Sequence, residues 1–232
     1  YMSLLLQIQS VPDSLTNPEI TEKTLSVVDL ITSGGIGGNL VMGALGILSI
    51  FAIYILIERF SAIKKASKED ENFLKSIQNF VEAKDIEAAK TLCRNTDSPI
   101  SRMIEKGVNR INKPMTDISA AIENQGKLEV FKMENNLANL ATISGAAPMI
   151  GFLGTVIGMI VAFHEMASAG GNIDVEMLSK GIYTAMTTTV AGLIVGIIAF
   201  IAYNYLVSKV DKVVFMLEAK TTEFLDLLHH NE

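Results

Sequence analysis

Hydrophobic residues in this chain are gathered into blocks. Leu140 to Phe163 is a run of 24 residues without a charged side chain, and Ile182 to Leu206 gives 25 more. Each exceeds the roughly 20 residues that cross a bilayer core of about 30 Å. Leu40 to Ile57, 18 residues whose one small polar side chain is Ser49, predicts another spanning helix that stops at Glu58-Arg59. The fold expected is therefore all-α and polytopic, with spans at 40–57, 138–163 and 182–206. The two later spans are not plain anchors. One carries Thr142, Ser144, Gly145, Pro148, Gly151, Gly154, Thr155 and Gly158; the other carries Thr184, Thr187, Thr188, Thr189, Gly192 and Gly196. Small residues let membrane helices approach closely. Gly151, Gly154, Gly158, Gly192, Gly196 and Pro148 are accordingly expected at a helix–helix contact, and the span 40–57 reads as an outer, lipid-facing helix.

Between the spans the pattern becomes amphipathic. In the segment 1–39, Ile20, Thr24, Val27, Val28 and Ile31 recur at helical spacing and predict a short helix on the membrane surface, broken by Gly34, Gly35, Gly37 and Gly38. Residues 58–137 predict a soluble helical domain. Phe73, Ile77, Phe80 and Val81 keep one helical face, as do Ile86, Ala89 and Leu92, and Pro99 and Pro114 begin or break helices. Ser119 to Leu140 reads as one uninterrupted helix entering the membrane, its charges a solvated surface. Residues 164–181 form a loop. In 207–232, Val210, Val213, Val214, Leu217, Phe224 and Leu228 continue the last helix out of the membrane, where it makes a stalk with 119–136.

Charge sets the expected orientation. Of 19 Lys and Arg, 14 fall in 58–136 and three in 207–232, while 1–39 and 164–180 hold only Lys23 and Lys180. The positive-inside rule then places 58–137 and the C-terminus in the cytoplasm and the N-terminus outside. The single Cys93 and the scattered His164, His229 and His230 offer no metal site. No phosphate loop, dinucleotide fingerprint or nucleophile elbow occurs, so no catalytic residue, cofactor or nucleic acid partner is expected. The spans also lack any Asp, Glu, Lys, Arg or His. A carboxylate is the usual intramembrane proton-relay group; here only hydroxyls are available. Thr155 lies eight residues before Phe163 and Thr189 seven after Ile182, about 12 and 10 Å from the outer end, hence at one level. Thr188 and Thr184 extend the same polar track outward. Whether these threonines serve a pathway or only bond neighbouring carbonyls is open on composition alone.

The stretch Ala147-Pro148-Met149-Ile150-Gly151-Phe152-Leu153-Gly154-Thr155-Val156-Ile157-Gly158-Met159 resembles a signature of the MotA/TolQ/ExbB proton-channel family, nearest its ExbB branch. So do Gly181 to Leu193 with Tyr203-Asn204, the Glu58-Arg59 pair and Ala88 to Gly107, so that the resemblance covers roughly residues 40–210. It implies a pentamer in the bacterial inner membrane, bathed by membrane lipids and with 1–39 and 164–181 periplasmic. Single helices of an ExbD-like partner carrying an intramembrane Asp would occupy its centre, and a TonB-like protein would carry the motion to outer-membrane transporters. Thr155 and Thr189 match the family's pore-lining threonines. Thr184 stands where ExbB and TolQ often have Glu, so no proton-relay role carries over to that position. Two other readings remain. One is a TolQ-like or flagellar or gliding stator; the other is a non-conducting scaffold.

Overall fold

A helix keeps every backbone polar group bonded within itself, which is what long apolar segments need in lipid. The computed structural model describes residues 35–67, 71–168 and 175–230. Among them are seven helices and no strand: α1 (Gly35–Ala66), α2 (Glu71–Glu82), α3 (Ile86–Asn95), α4 (Pro99–Val108), α5 (Met115–Glu134), α6 (Leu137–Ser168) and α7 (Val175–His230). Three stretches are long and apolar enough to cross a membrane, and they lie in α1, in α6 and in α7. The surface helix expected before residue 34 lies outside the described residues.

The membrane helices run longer than their apolar cores. Gly35, Gly37 and Gly38 belong to the first turn of α1. A Cβ at Gly37 would come within 3.0 Å of Ile157 Cγ2, so the glycine marks where α6 leans on α1. Val41, Leu45, Ala52 and Ile55 of α1 are buried, while Leu40, Ile47, Ile50 and Ile57 are exposed. The helix thus has one protein face and is not wholly lipid-facing. At its other end Glu58-Arg59 does not stop it, because both charges find partners: Arg59 pairs with Glu58 and donates to the Lys132 carbonyl at 2.8 Å. The 164–181 loop also shortens, since α6 reaches Ser168 and α7 begins at Val175. Beyond the membrane α7 continues unbroken to His230, as the apolar repeat predicts. Its 56 residues measure about 84 Å.

The helix expected from Ser119 straight into the membrane is in fact two. Asn135 caps α5, and Asn136 takes a φ of 65°, a left-handed conformation that Asn tolerates better than most residues. The turn leaves carbonyls at the end of α5 without intrahelical donors. Arg59, reaching across from α1, satisfies that of Lys132.

The extramembrane helices are punctuated by caps. Asp85 accepts from the Ala88 N–H at 3.0 Å to start α3. Ser98 and Ser101 form a capping box around Pro99 at the start of α4. These helices bury Phe73, Ile77, Ala89, Cys93, Ile104, Val108, Ile118 and Ile122 against Val210, Val213, Leu217, Phe224 and Leu228 of α7. Gly107 lets α4 close on this seam, for a Cβ there would meet Ile122 Cδ1 at 2.7 Å and Phe224 at 2.8 Å.

In the membrane α6 and α7 pack through their small residues. A Cβ at Gly192 would lie 2.5 Å from the Ala147 carbonyl oxygen, and one at Gly151 2.7 Å from that of Thr188. At Gly154 it would meet the Thr188 hydroxyl at 2.5 Å, and at Gly158 the Ala185 Cβ at 2.7 Å. A Cβ at Gly196 would lie 2.6 Å from the Pro148 ring and 3.1 Å from the Ser144 carbonyl oxygen. Ser144 is four residues before the proline, whose missing N–H leaves that carbonyl without its helical donor.

Not all charges of the soluble block are solvated. Glu129 on α5 is 2% exposed and accepts from Arg102 twice, at 2.7 and 3.1 Å, from Lys132 at 2.8 Å and from Gln125 at 2.8 Å. Burial pushes its carboxyl up, but the hydrogen bonds from Arg102 and Lys132 outweigh it and hold the group below the usual carboxylate range.

Two predictions follow from the packing. Gly192→Ala must move a backbone carbonyl, whereas Gly145→Ala, with nothing within 4 Å of its Cβ position, need not. Gly192→Ala should lose about 1–3 kcal/mol, read as a lowered melting temperature in detergent, with Gly145→Ala near wild type. Because Glu129 has a depressed folded pKa, its stabilisation is present above the unfolded value and is lost as pH falls through the folded one. Glu129→Gln should therefore destabilise the bundle by about 1–3 kcal/mol at pH 7 and flatten acid lability below about pH 4; thermal melts across pH measure both.

Candidate functional site

The contact between α6 and α7 holds the threonines singled out in the sequence. Thr155 and Thr189, on different helices and 34 residues apart, face each other with their hydroxyls in direct hydrogen bond. Thr155 Oγ1 also lies 3.2 Å from the Ala185 carbonyl, and Thr189 Oγ1 3.2 Å from that of Gly151. Both side chains are half-buried. The two hydroxyls therefore stand at one level along the α6–α7 contact, the relation that helical rise predicts.

The group at the centre of this cluster is a backbone atom that sequence reasoning did not single out. The Gly151 carbonyl oxygen has Thr188 Oγ1 at 3.0 Å, Thr189 Oγ1 at 3.2 Å and Thr155 Oγ1 at 3.4 Å. Gly151 itself permits this, since any side chain there would hold α7 away. A signal existed in the three consecutive threonines 187–189 opposite a glycine, but only the helix register reveals which of them reach across.

The threonines differ in what their hydroxyls can do. Thr188 is 2% exposed, and its single proton is shared between the carbonyls of Ala185 at 2.7 Å and Gly151 at 3.0 Å. Thr184 is buried and donates to the Lys180 carbonyl at 2.7 Å on its own helix. Thr187 is likewise bonded to its own helix, at the Tyr183 carbonyl, 3.1 Å away. A hydroxyl has one proton and two lone pairs. In the Thr155–Thr189 pair the two protons serve the pair and the adjoining carbonyls, which leaves lone pairs for water or another donor on the open side. Thr184 and Thr188 are enclosed within the subunit. The described residues include no group of His, Cys, Asp and Glu that could hold a metal ion.

The pair sits in an otherwise apolar setting. Met149, Phe152 and Ile160 of α6 and Met186, Val190, Ile194 and Ile197 of α7 are exposed, so large apolar side chains cover the outer faces while glycine, alanine and threonine fill the seam. No Asp, Glu, Lys, Arg, His or Cys lies in the spans 40–57, 138–163 and 182–206.

Comparison with known proteins places the chain among membrane transport proteins. The chain is 26% identical over 187 residues to a protein designated a biopolymer transport ExbB homolog in Methanothermobacter thermautotrophicus, covering 80% of this chain and 64% of that one. It is 40% identical over 79 residues to the biopolymer transport protein ExbB of Helicobacter pylori, covering 34% of this chain and 54% of the other. With the Tol-Pal system protein TolQ of Pseudomonas aeruginosa it shares 24% identity over 223 residues, 91% of this chain and 96% of TolQ. The alignments with the two ExbB-named proteins therefore span less than two thirds of their lengths. Residues 95–219, which hold both threonines and every glycine of the α6–α7 seam, match the family as a whole: the chain belongs to the MotA/TolQ/ExbB proton channel family.

Proposed function

We propose that this chain is an ExbB-like subunit of an inner-membrane motor driven by the proton motive force, and that its Thr155–Thr189 pair solvates an acid supplied by a partner. The observation that carries the reading is a paired, half-buried hydroxyl site inside spans that contain no carboxylate, histidine or basic side chain. An ionised Asp in hydrocarbon costs roughly 2.5–3.5 kcal/mol on insertion scales. Hydroxyl lone pairs and the water they hold would lower that cost on a neighbouring helix. The chain's own role is then to conduct and gate, with no enzymatic step.

The partner in this reading is an ExbD-like protein with one span and an intramembrane Asp, coupled to a TonB-like protein that energises outer-membrane transport. A ring of copies, a pentamer by family resemblance, would surround it. The aromatic groups Phe131 and Phe215 support assembly: they lie outside the spans yet are 71% and 74% exposed. The basic residues of 58–137 and 207–232 favour a cytoplasmic C-terminus and a periplasmic N-terminus. The near-complete alignment with TolQ favours a second reading, a cell-envelope motor of the Tol-Pal type. Rescue of cells lacking ExbB but not of cells lacking TolQ decides for the first.

Thr155→Val and Thr189→Val keep the shape and remove the hydroxyl, so each should abolish energised uptake while the complex still assembles; Thr→Ser should retain much of it. Near wild-type uptake in both valine variants would leave a packing role only. Orientation has its own test. Ser168→Cys should react with an impermeant maleimide added outside spheroplasts, and Lys113→Cys should not. The buried Cys93 gives little background, because burial, assisted by the Glu105 charge, pushes its thiol up to about 12.

A further inference from the structure

Where α1 and α7 leave the apolar zone side by side, a cleft of about 380 Å³ opens between them. Its rim carries Lys64 from α1, Ser67 just beyond the end of α1, and Lys209 and Lys212 from α7; its floor is Ile63 and Leu206, both buried. Phe60 and Tyr205 close the membrane side, their rings stacked at 6.3 Å between centroids and 24° between planes. The Lys209 ammonium rests 5.5 Å from the centre of the Tyr205 ring, a cation–π contact that positions the charge without neutralising it. None of these three lysines has a carboxylate partner among the described residues, whereas the adjacent Lys65 is paired with Asp97 at 2.6 Å. Asp211 is about 200° round the helix from Lys209 and does not line the cleft.

We propose that this cleft binds the headgroup of an anionic phospholipid of the cytoplasmic leaflet. Three ammonium groups without a carboxylate partner among the described residues, together with the Ser67 hydroxyl, match a phosphodiester oxygen set, and the aromatic pair suits the interfacial depth at which Tyr is enriched. One turn further into the membrane on the same helix faces stand Ile57 and Ile201, 62% and 63% exposed, which give the acyl chains an apolar track. A soluble phosphate would use the lysines but not that track. The leaflet assignment rests on the orientation proposed above; the binding itself does not. A lipid wedged there would join α1 to α7 at the point where both turn from lipid to water.

Native mass spectrometry of the detergent-purified full chain, with phosphatidylglycerol and phosphatidylcholine of identical acyl chains, reads the preference directly. Wild type should retain phosphatidylglycerol at least about tenfold over phosphatidylcholine. The triple variant K64Q/K209Q/K212Q should lose that preference, and Lys212→Gln alone, at an exposed position, should reduce it several-fold. K84Q/K106Q/K113Q removes the same charge away from the cleft and should keep the preference. Equal loss in that control, or no preference in wild type, overturns the proposal. So does displacement of the lipid by millimolar glycerol 1-phosphate, which would make the cleft a site for soluble anions. The measurement is blind to orientation and proton flow, so uptake in the threonine variants and lipid retention here fail or stand separately.

Discussion

The membrane half depends on one constraint: α6 and α7 must come within backbone contact at Gly151 and Gly192. A side chain at either position would strike a carbonyl oxygen of the facing helix, at 2.7 Å and 2.5 Å respectively. Lipid tails are as apolar as leucine, so no hydrophobic drive holds two such helices together; close packing and interhelical hydrogen bonds must do it. The glycines supply the first and, by letting the Gly151 carbonyl face Thr188 and Thr189, also the second. Tight packing and the polar cluster are therefore consequences of the same missing side chains. The Pro148 turn fits the same scheme. Its unbonded Ser144 carbonyl is covered by Gly196, so α6 can carry a proline without opening a gap to lipid.

Below the membrane the problem is reversed, because charges have to be seated where helices cross. Arg59 and Glu129 are the two deeply buried charged side chains among the described residues, and both act on α5 near its junction with α6. Arg59 bonds the Lys132 carbonyl exposed by the turn at Asn136, and Glu129 gathers Arg102, Lys132 and Gln125. Without its partners Glu129 would be a buried unpaired charge, which is costly, so the cluster favours the arrangement in which α4 and α5 meet. Meanwhile α7 passes through both regions without a break. One continuous helix thus joins Thr189 to Phe224, whose ring lies in the bundle core beside Gly107.

The helices and their faces were legible because hydropathy operates at the scale of whole segments. An apolar run longer than the bilayer, or an i, i+3, i+4 repeat such as Phe73, Ile77 and Val81, survives any local detail. The ends were not legible, because they depend on single partners. Arg59 prolongs α1 through contacts made 73 residues away, and nothing local to Glu58-Arg59 reports that. Asn135-Asn136 was a missed signal, a pair tolerant of a left-handed turn in an otherwise helical pattern. The threonine pair was legible from counting rise along two antiparallel helices. The Gly151 carbonyl was not, because a backbone atom carries no letter of its own.

The same logic separates what the spans must hold permanently from what they must hold in passing. A carboxylate built into each copy would have to be inserted and packed as a charge, or kept protonated, in every copy whether or not the motor turns. Hydroxyls avoid this, since their protons bond to carbonyls already present and only their lone pairs remain to be used. In the proposed reading the acid arrives on a separate helix, so its charge meets the site only when the assembly is complete. A chain with no partner in place would then hold a self-satisfied polar seam and no conducting group. In that reading, leak through an unpartnered subunit is limited because its spans carry no carboxylate of their own.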